Sequence, residues 1–458
     1  MNVPIVKTVA QGTALTSFTT ILIKLIGLVS VFLILSRLSA AQYGVVELSL
    51  SLTSLLGIFM LPGISSLVLA DVGAEKGRGN LSSARAILYS SLTLQLSLGV
   101  VAWAAVFFGA DVFVRLYHLS SYDIRIVSFL FLLSPLTTTI GTLFLLHLRF
   151  FEQSLMNVLS EAAKLILLFV LLLYVHLTVE GVLYAVLFSQ LLTVLVLGPR
   201  SLRLFSMLHD GAATPRVPWS RFLWGRGMWS TLSTYTGNVG SAARLWIIRR
   251  VLGEEAVGLY AVAAGLMSHT TALVPLPSVL TPLLPQYAHD KERFVRLVRK
   301  GIEYQFLAYL VLGAGAFIFF PPIFGWIFPK YVGAFPLFRL MLLGLIPGAV
   351  IAIVTPAFSA LKLQKSFFMS MLFKTASTIV FAFIGVTYFG LYGLAFESVL
   401  TGTLQAIGRV RSLRKYLGGV RLFRSDFLSF DDEDRVVIGS VRQALVRVLR
   451  PGAGRTHQ

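Results

Sequence analysis

Cysteine does not occur in the 458 residues. Its absence excludes disulfides, thiolate nucleophiles and Cys-ligated zinc or iron–sulfur centres, while fixing no compartment. Charge is scarce, since only 13% of residues are Asp, Glu, Lys or Arg, against about 25% in a soluble domain. Acid is scarcer still: 20 Asp and Glu stand against 39 Lys and Arg, a net charge of +19. A Gly-rich phosphate loop ending in Gly-Lys-Ser/Thr is missing, and so is a His/Glu metal motif. No cofactor or metal is therefore expected, and work done by the chain must draw on an ion gradient or the substrate gradient. Nor is there a large carboxylate-bearing aqueous loop of the kind that integral-membrane glycosyltransferases and polymerases need, so the chain does not read as an enzyme.

What the chain has in abundance is apolar length. Apolar residues make up 56% of it and the mean hydropathy is +0.81. Stretches of about 18 to 20 apolar residues, each enough to cross a hydrocarbon layer about 30 Å thick, recur almost throughout. The first, Ala14 to Leu38, is too long for a signal-peptide core and has no small-residue cleavage site after it, so it reads as a retained span. About twelve transmembrane helices are expected, among them Ala14–Ser36, Val46–Ala70, Leu259–Leu283, Phe335–Leu361 and Gly393–Val410.

The second half of this series repeats the first. Leu38 to Gly44 closes the first run and Leu252 to Gly258 closes one near the middle, an offset of 214 residues; Arg200-Ser201-Leu202-Arg203 returns as Arg411-Ser412-Leu413-Arg414, at 211. Repetition on this scale means two copies of one membrane bundle, a common transporter architecture. The expected fold is an all-α polytopic membrane protein with about twelve transmembrane helices in two pseudo-symmetric six-helix lobes. Residues 1–199 form the N-terminal lobe, 200–227 a polar interlobe linker with His209-Asp210-Gly211, 228–411 the C-terminal lobe, and 412–458 a basic tail.

The basic residues fall at span ends. With the N-terminus cytoplasmic, the loops on that side hold Lys76, Arg78, Arg149, Arg200, Arg203, Arg216, Arg221, Lys291, Arg293, Lys362 and Lys365 and others, while the opposite loops hold Arg37, Arg115, Arg125, Arg249, Arg250 and Lys330. The positive-inside rule then puts both termini of a multi-pass protein in the cytoplasm, in the cell (inner or plasma) membrane. This distribution also excludes nucleic acid as a partner, because no single folded face collects the charge. In the tail, Val437, Val441, Ala444, Leu445 and Val448 repeat at helical spacing among arginines. That pattern suits either an amphipathic helix on the anionic inner leaflet or a partly disordered basic tail.

Inside the spans ionisable groups are few: Lys24, Glu161, Lys164, Arg244, Lys374 and Glu397, with His269 as an addition. At roughly 2.5 to 3.5 kcal/mol each at a helix centre, they are expected to face a polar interior rather than lipid. Lys24 lies beyond snorkelling reach of either helix end and lines a cavity, or else bonds to a neighbouring helix. Arg244, in the repeat mate of the first span, either approaches the same space or snorkels outward. Lys164 and Lys374 occupy similar depths in mated spans; Glu161 can pair with Lys164 at i, i+3, and Glu397 can reach Lys374 across helices. The excess of positive charge suits phosphate or carboxylate groups rather than an organic cation or sodium. Prolines and glycines at Pro62-Gly63, Pro135, Pro275, Pro277, Pro347-Gly348 and Pro356 mark sites where spans can bend.

Three segments carry a family resemblance. Arg37-Leu38-Ser39-Ala40-Ala41-Gln42-Tyr43-Gly44, after a span with a buried Lys, resembles the Arg-x-Leu-Gly-x-x-x-Tyr-Gly opening of polysaccharide flippases of the multidrug/oligosaccharidyl-lipid/polysaccharide exporter superfamily, with one residue fewer. Leu252 to Ala261 is similar to the family's start of the second lobe, and Gly390-Leu391-Tyr392-Gly393-Leu394-Ala395 to a segment near its last span. The resemblance implies translocation of a polyprenyl-diphosphate-linked oligosaccharide from the inner to the outer leaflet by alternating access. It implies cavity cations, here Lys24, Arg244, Lys374, Lys164 and Arg37, candidate coupling carboxylates Glu397 and Glu161, and proton or sodium coupling, with membrane lipids as the other partners. Twelve spans rather than fourteen depart from the peptidoglycan-precursor branch, and the first span lacks the Asp of multidrug antiporters. A cation-coupled multidrug antiporter, with Glu397 as coupling site, and a membrane scaffold acting through its basic tail are the alternatives.

Overall fold

The computed structural model describes residues 3–418 except 62, 118, 175, 209–214, 225, 275, 288 and 289; for residues 3–18 and scattered others it describes the backbone alone. The linker's His209-Asp210-Gly211, the acidic cluster Asp431–Asp434 and the repeat from Val437 to Val448 lie outside the described residues. Among those residues there is no strand. The helices of the first half are α1 (Val3–Arg37), α2 (Ala40–Leu55), α3 (Ile64–Gly77), α4 (Leu81–Phe108), α5 (Ala110–Tyr117), α6 (Ser121–Ser128), α7 (Leu130–Leu146), α8 (Phe150–Tyr174) and α9 (Val179–Ser206). After the short α10 (Ser220–Leu223) come α11 (Arg226–Leu252), α12 (Glu254–Ala272), α13 (Leu276–Leu283), α14 (Lys291–Ile327), α15 (Ala334–Met341), α16 (Leu345–Ala360), α17 (Gln364–Phe389) and α18 (Leu391–Tyr416).

Several expected spans change shape. Val46–Ala70 is not one helix but α2 and α3, separated where Leu61 and Gly63 take positive φ, and Leu259–Leu283 is likewise split into α12 and α13. The two breaks occupy corresponding places in the repeat. Seven stretches are long and apolar enough to cross a membrane: α4, α6 with α7, α8, α9, α14, α15 with α16, and α17. By contrast α11 carries Ser, Thr, Asn, Gly and Arg along its length. A helix so polar cannot face acyl chains, and it packs between α2 and α17.

Packing partners repeat as the sequence does. In the first half α8 packs on α1 and α9, α9 on α6 and α7, and α4 on α3 and α7. In the second, α17 packs on α11 and α18, α18 on α15 and α16, and α14 on α13 and α16. The fold is thus an all-helical polytopic membrane protein built from two related halves, which meet chiefly where α2 lies against α11 and α12.

The repeated motif builds that meeting. Ser39 caps α2: its hydroxyl accepts from Gln42 N (3.2 Å) while Gln42 Oε1 accepts from Ser39 N (2.9 Å), a reciprocal capping box. Glu254 and Glu255 place carboxylates in the first turn of α12, where the helix dipole favours them. The capped starts then cross at Gly44 and Gly258. A Cβ on Gly44 would stand 2.1 Å from the Glu254 carbonyl oxygen, and one on Gly258 would stand 1.9 Å from that of Ala40. Around this contact Phe32 packs on Phe324 and Phe328, with centroids 5.1 and 4.9 Å away. Buried Tyr331 donates to the Leu38 carbonyl (3.0 Å), and burial pushes its phenol up to about 12, so it keeps that proton at neutral pH. At this end the halves are sealed together.

At the opposite end the linker is partly structured. Helix α9 runs on to Ser206, so the first residues assigned to the linker are helical. Further along, Phe222 is buried in the first half's core beside Ile64, Val68 and Leu146, Arg221 pairs with Asp71 (2.7 Å), and Ser90 donates to the Val217 carbonyl (2.8 Å). The linker therefore travels with the first half.

Candidate functional site

A cavity of about 320 Å³ lies within the first half, walled by α2, α3, α4, α7 and α9, and meets the second half at Asn238 of α11. Its polar lining is uncharged: Thr53, Ser54, Ser65, Gln95, Ser134, Thr138, Gln190 and Asn238. Hydroxyls and amides both donate and accept, which suits a ligand with many hydroxyls of its own.

Charge collects in two clusters away from this lining. In the first, Lys164 Nζ lies 2.6 Å from Glu161 Oε2, as helical i, i+3 spacing allows. Lys24 of α1, Lys164 and Glu161 of α8, and His269 of α12 lie within electrostatic reach of one another. Gly27 keeps the space between: a Cβ there would stand 3.8 Å from Glu161 Oε2 and 3.9 Å from His269 Cε1. At 1.5 Å per residue the four residues stand about 15 to 22 Å along their helices from the end at which the halves meet. Lys24 makes no ion pair among the described residues. His269 brings the second half into a cluster otherwise built by the first. Glu47 of α2 also feels Lys164; the sequence reading passed it over because it stands one residue inside the expected span start.

In the second cluster Arg244 is locked. Its Nε lies 2.9 Å from Glu397 Oε2, Nη2 donates to Glu397 Oε1 (3.0 Å) and Nη1 to Tyr260 Oη (3.1 Å), while Thr401 donates to the same carboxylate (3.1 Å). The side chain does not snorkel, because this bidentate pair replaces water. The alternative pairing of Glu397 with Lys374 is likewise displaced: the carboxylate's two oxygens are both engaged by Arg244. Lys374 makes no ion pair among the described residues and stands in the field of Arg244, Glu397 and Arg409. Arg409, which the sequence placed at a span end, is 2% exposed.

Arg37 lies exposed in the last turn of α1, apart from both clusters. Arg249 pairs with Glu254 (2.6 Å) at the sealed end rather than reaching outward. Inside the spans Lys24, Lys164, Arg244, Lys374 and Arg409 stand against Glu47, Glu161 and Glu397, and Asp123, Lys300 and Glu303 are buried in span helices as well. Among the described residues no group of His, Asp and Glu could hold a metal ion.

The fold is shared with solved transporters. An inward-facing multidrug resistance MATE family transporter of the MOP superfamily superposes with a TM-score of 0.67 at 16% identity, covering 88% of this chain and 98% of that one. Lipid II flippase MurJ in an inward closed conformation gives 0.68 at 14% identity, over 97% of this chain and 94% of that one. A MOP superfamily transporter from Pyrococcus furiosus, described as having a binding pocket of reverse polarity, gives 0.61 at 14% identity, over 89% and 95%. No curated protein matches the chain. The profile of one family spans residues 9–288, well over half of the sequence, and the chain belongs to that family, the polysaccharide biosynthesis proteins.

Proposed function

We propose that the protein is a flippase that carries a polyprenyl-diphosphate-linked oligosaccharide from the inner to the outer leaflet of the cell membrane. The halves, 1–199 and 228–411, rock about the linker with both termini cytoplasmic, and the sealed end faces outward. The observation that carries this reading is an uncharged hydroxyl- and amide-lined cavity in a helical interior that also holds Lys24 and Lys374, half-buried cations that make no ion pair among the described residues. The first fits sugar; the second fits a diphosphate. MurJ, a protein of the same fold, is described as a lipid II flippase.

The antiporter alternative needs a carboxylate free to exchange a cation for a proton. Glu397 is held by Arg244 and Glu161 by Lys164, which weighs against it. In proteoliposomes, Lys24→Ala slows translocation of a diphosphate-linked glycolipid at least tenfold with the fold intact. An unchanged rate removes Lys24 from the mechanism. Efflux of lipophilic cations by the wild-type protein would turn the reading toward the antiporter.

A further inference from the structure

Arg409 is a buried guanidinium without a counter-ion among the described residues. Nη1 donates to Thr355 Oγ1 (2.6 Å), Nε to Ser370 Oγ (3.1 Å), and the group lies 4.6 Å from the centre of the Phe367 ring. Its remaining donor, Nη2, points at Met371 Sδ (3.2 Å). So does Gln405 Nε2, at 3.4 Å. Two N–H donors, one of them charged, thus converge on a thioether sulfur, among the weakest acceptors a protein offers. Both are buried, and Gln405 Oε1 accepts no hydrogen bond among the described residues. A buried cation without a carboxylate is costly unless another anion completes it, and neither Arg409 nor nearby Lys374 makes an ion pair among the described residues.

The sulfur is also the movable part. Methionine has three rotatable bonds and repacks at low cost. Its methyl reaches across to α11: a Cβ on Gly237 would stand 2.8 Å from Met371 Cε. The next residue, Asn238, lines the polar cavity. Swinging Met371 aside would uncover Arg409 Nη2 and Gln405 Nε2 beside α11, with Lys374 one turn further along α17.

We propose that Arg409 and Gln405 form an oxyanion site for a phosphate or diphosphate group, and that Met371 is its displaceable plug. The proposal rests on the reading that the interior receives an anionic headgroup, and it adds a second station to the cluster at Lys24. The ligand's oxygen takes the place of the sulfur, exchanging a weak contact for a charge-assisted one.

Inorganic pyrophosphate binding to the full-length protein in detergent, followed by calorimetry, tests it. Met371→Ala removes the plug and is expected to lower the half-saturating concentration about tenfold. Arg409→Lys keeps the charge but loses the planar fork, and is expected to raise it about tenfold. Should Arg409→Lys fail to fold, Met371→Ala decides alone. Values for both variants within twofold of wild type, or no binding to Met371→Ala at millimolar pyrophosphate, overturn the site. If Lys24→Ala abolishes binding while these two variants do nothing, the anion-transport reading survives and this station falls. Competition in nanodiscs identifies the source of the phosphate: displacement by polyprenyl diphosphate points to substrate, and displacement by phosphatidylglycerol to a membrane lipid.

Discussion

The crossing of Gly44 and Gly258 yields a sharp test of how the halves part. In Gly44→Ala the new methyl would stand 2.1 Å from a backbone oxygen of Glu254, where a carbon–oxygen contact needs about 3.3 Å. The partner is backbone, so no side chain can swing aside, and α2 and α12 must separate by roughly 1 Å. Overpacking of this kind costs about 1 to 3 kcal/mol, a factor of about 5 to 150 in the ratio of sealed to open molecules. The native chain has no cysteine, so Leu38→Cys, at a position 1% exposed beside the seal, provides a single label without background. A membrane-impermeant maleimide added from outside should modify Leu38→Cys at least fivefold faster when Gly44→Ala is present, and Gly258→Ala should do the same. Gly73→Ala, with no atom within 4 Å of the added carbon, serves as the control. Labelling unchanged within twofold in both seal variants of normal thermal stability would refute the crossing as the contact that holds this end shut.

The remaining expectations concern individual contacts. Tyr331→Phe leaves the buried Leu38 carbonyl unpaired, a loss of about 1 to 3 kcal/mol, and should raise the same labelling rate. Glu397→Gln strands Arg244 and should destabilise by about 3 to 5 kcal/mol, whereas Arg244→Met with Glu397→Leu should recover most of the loss; thermal unfolding in detergent reads both, and equal unfolding temperatures for single and double variants would show that the pair is not what matters. Phe222→Ala should release the linker, at about 3 to 5 kcal/mol for a buried ring, and expose it to limited proteolysis. Arg221→Ala removes only a partly exposed pair worth less than about 1 kcal/mol and should leave the cleavage rate near that of wild type.

Much of the site's arithmetic was legible in the chain, but little of its pairing. Lys24 was conspicuous because ten residues of helix separate it from the start of its apolar run, and the Glu161–Lys164 contact follows from helical pitch alone. Arg244 and Glu397 are 153 residues apart; their meeting depends on how α11 and α18 pack, which no local pattern encodes. Glu47 and Arg409 were hidden for one reason. Each stands within a residue or two of where the apolar signal stops, and a polar interior ends that signal as surely as water does. Helix α18 in fact continues to Tyr416, leaving Arg409 well inside it. The breaks after α2 and α12 were marked by Pro62-Gly63 and Pro275, although the sequence could equally have been read as kinked single helices.

The two halves are symmetric at the seal and unlike one another at the clusters, and physical chemistry accounts for the difference. A contact between two copies of one surface is isologous, so whatever Gly44 does for Glu254 the mate Gly258 must do for Ala40. The observed distances of 2.1 and 1.9 Å show that reciprocity. Nothing imposes it on ligand contacts. At the seal motif's offset, Lys24 corresponds to Asn238 and Arg244 to Ser30, so these two cations face neutral mates, whereas Lys164 and Lys374 fall near corresponding positions. A ligand without a twofold axis requires no such match between mated positions. Exchanging the glycine defects between halves should therefore give equal labelling rates. Moving the cation, as Lys24→Asn with Asn238→Lys, should not restore translocation, and full restoration would show that only total charge matters, not its placement.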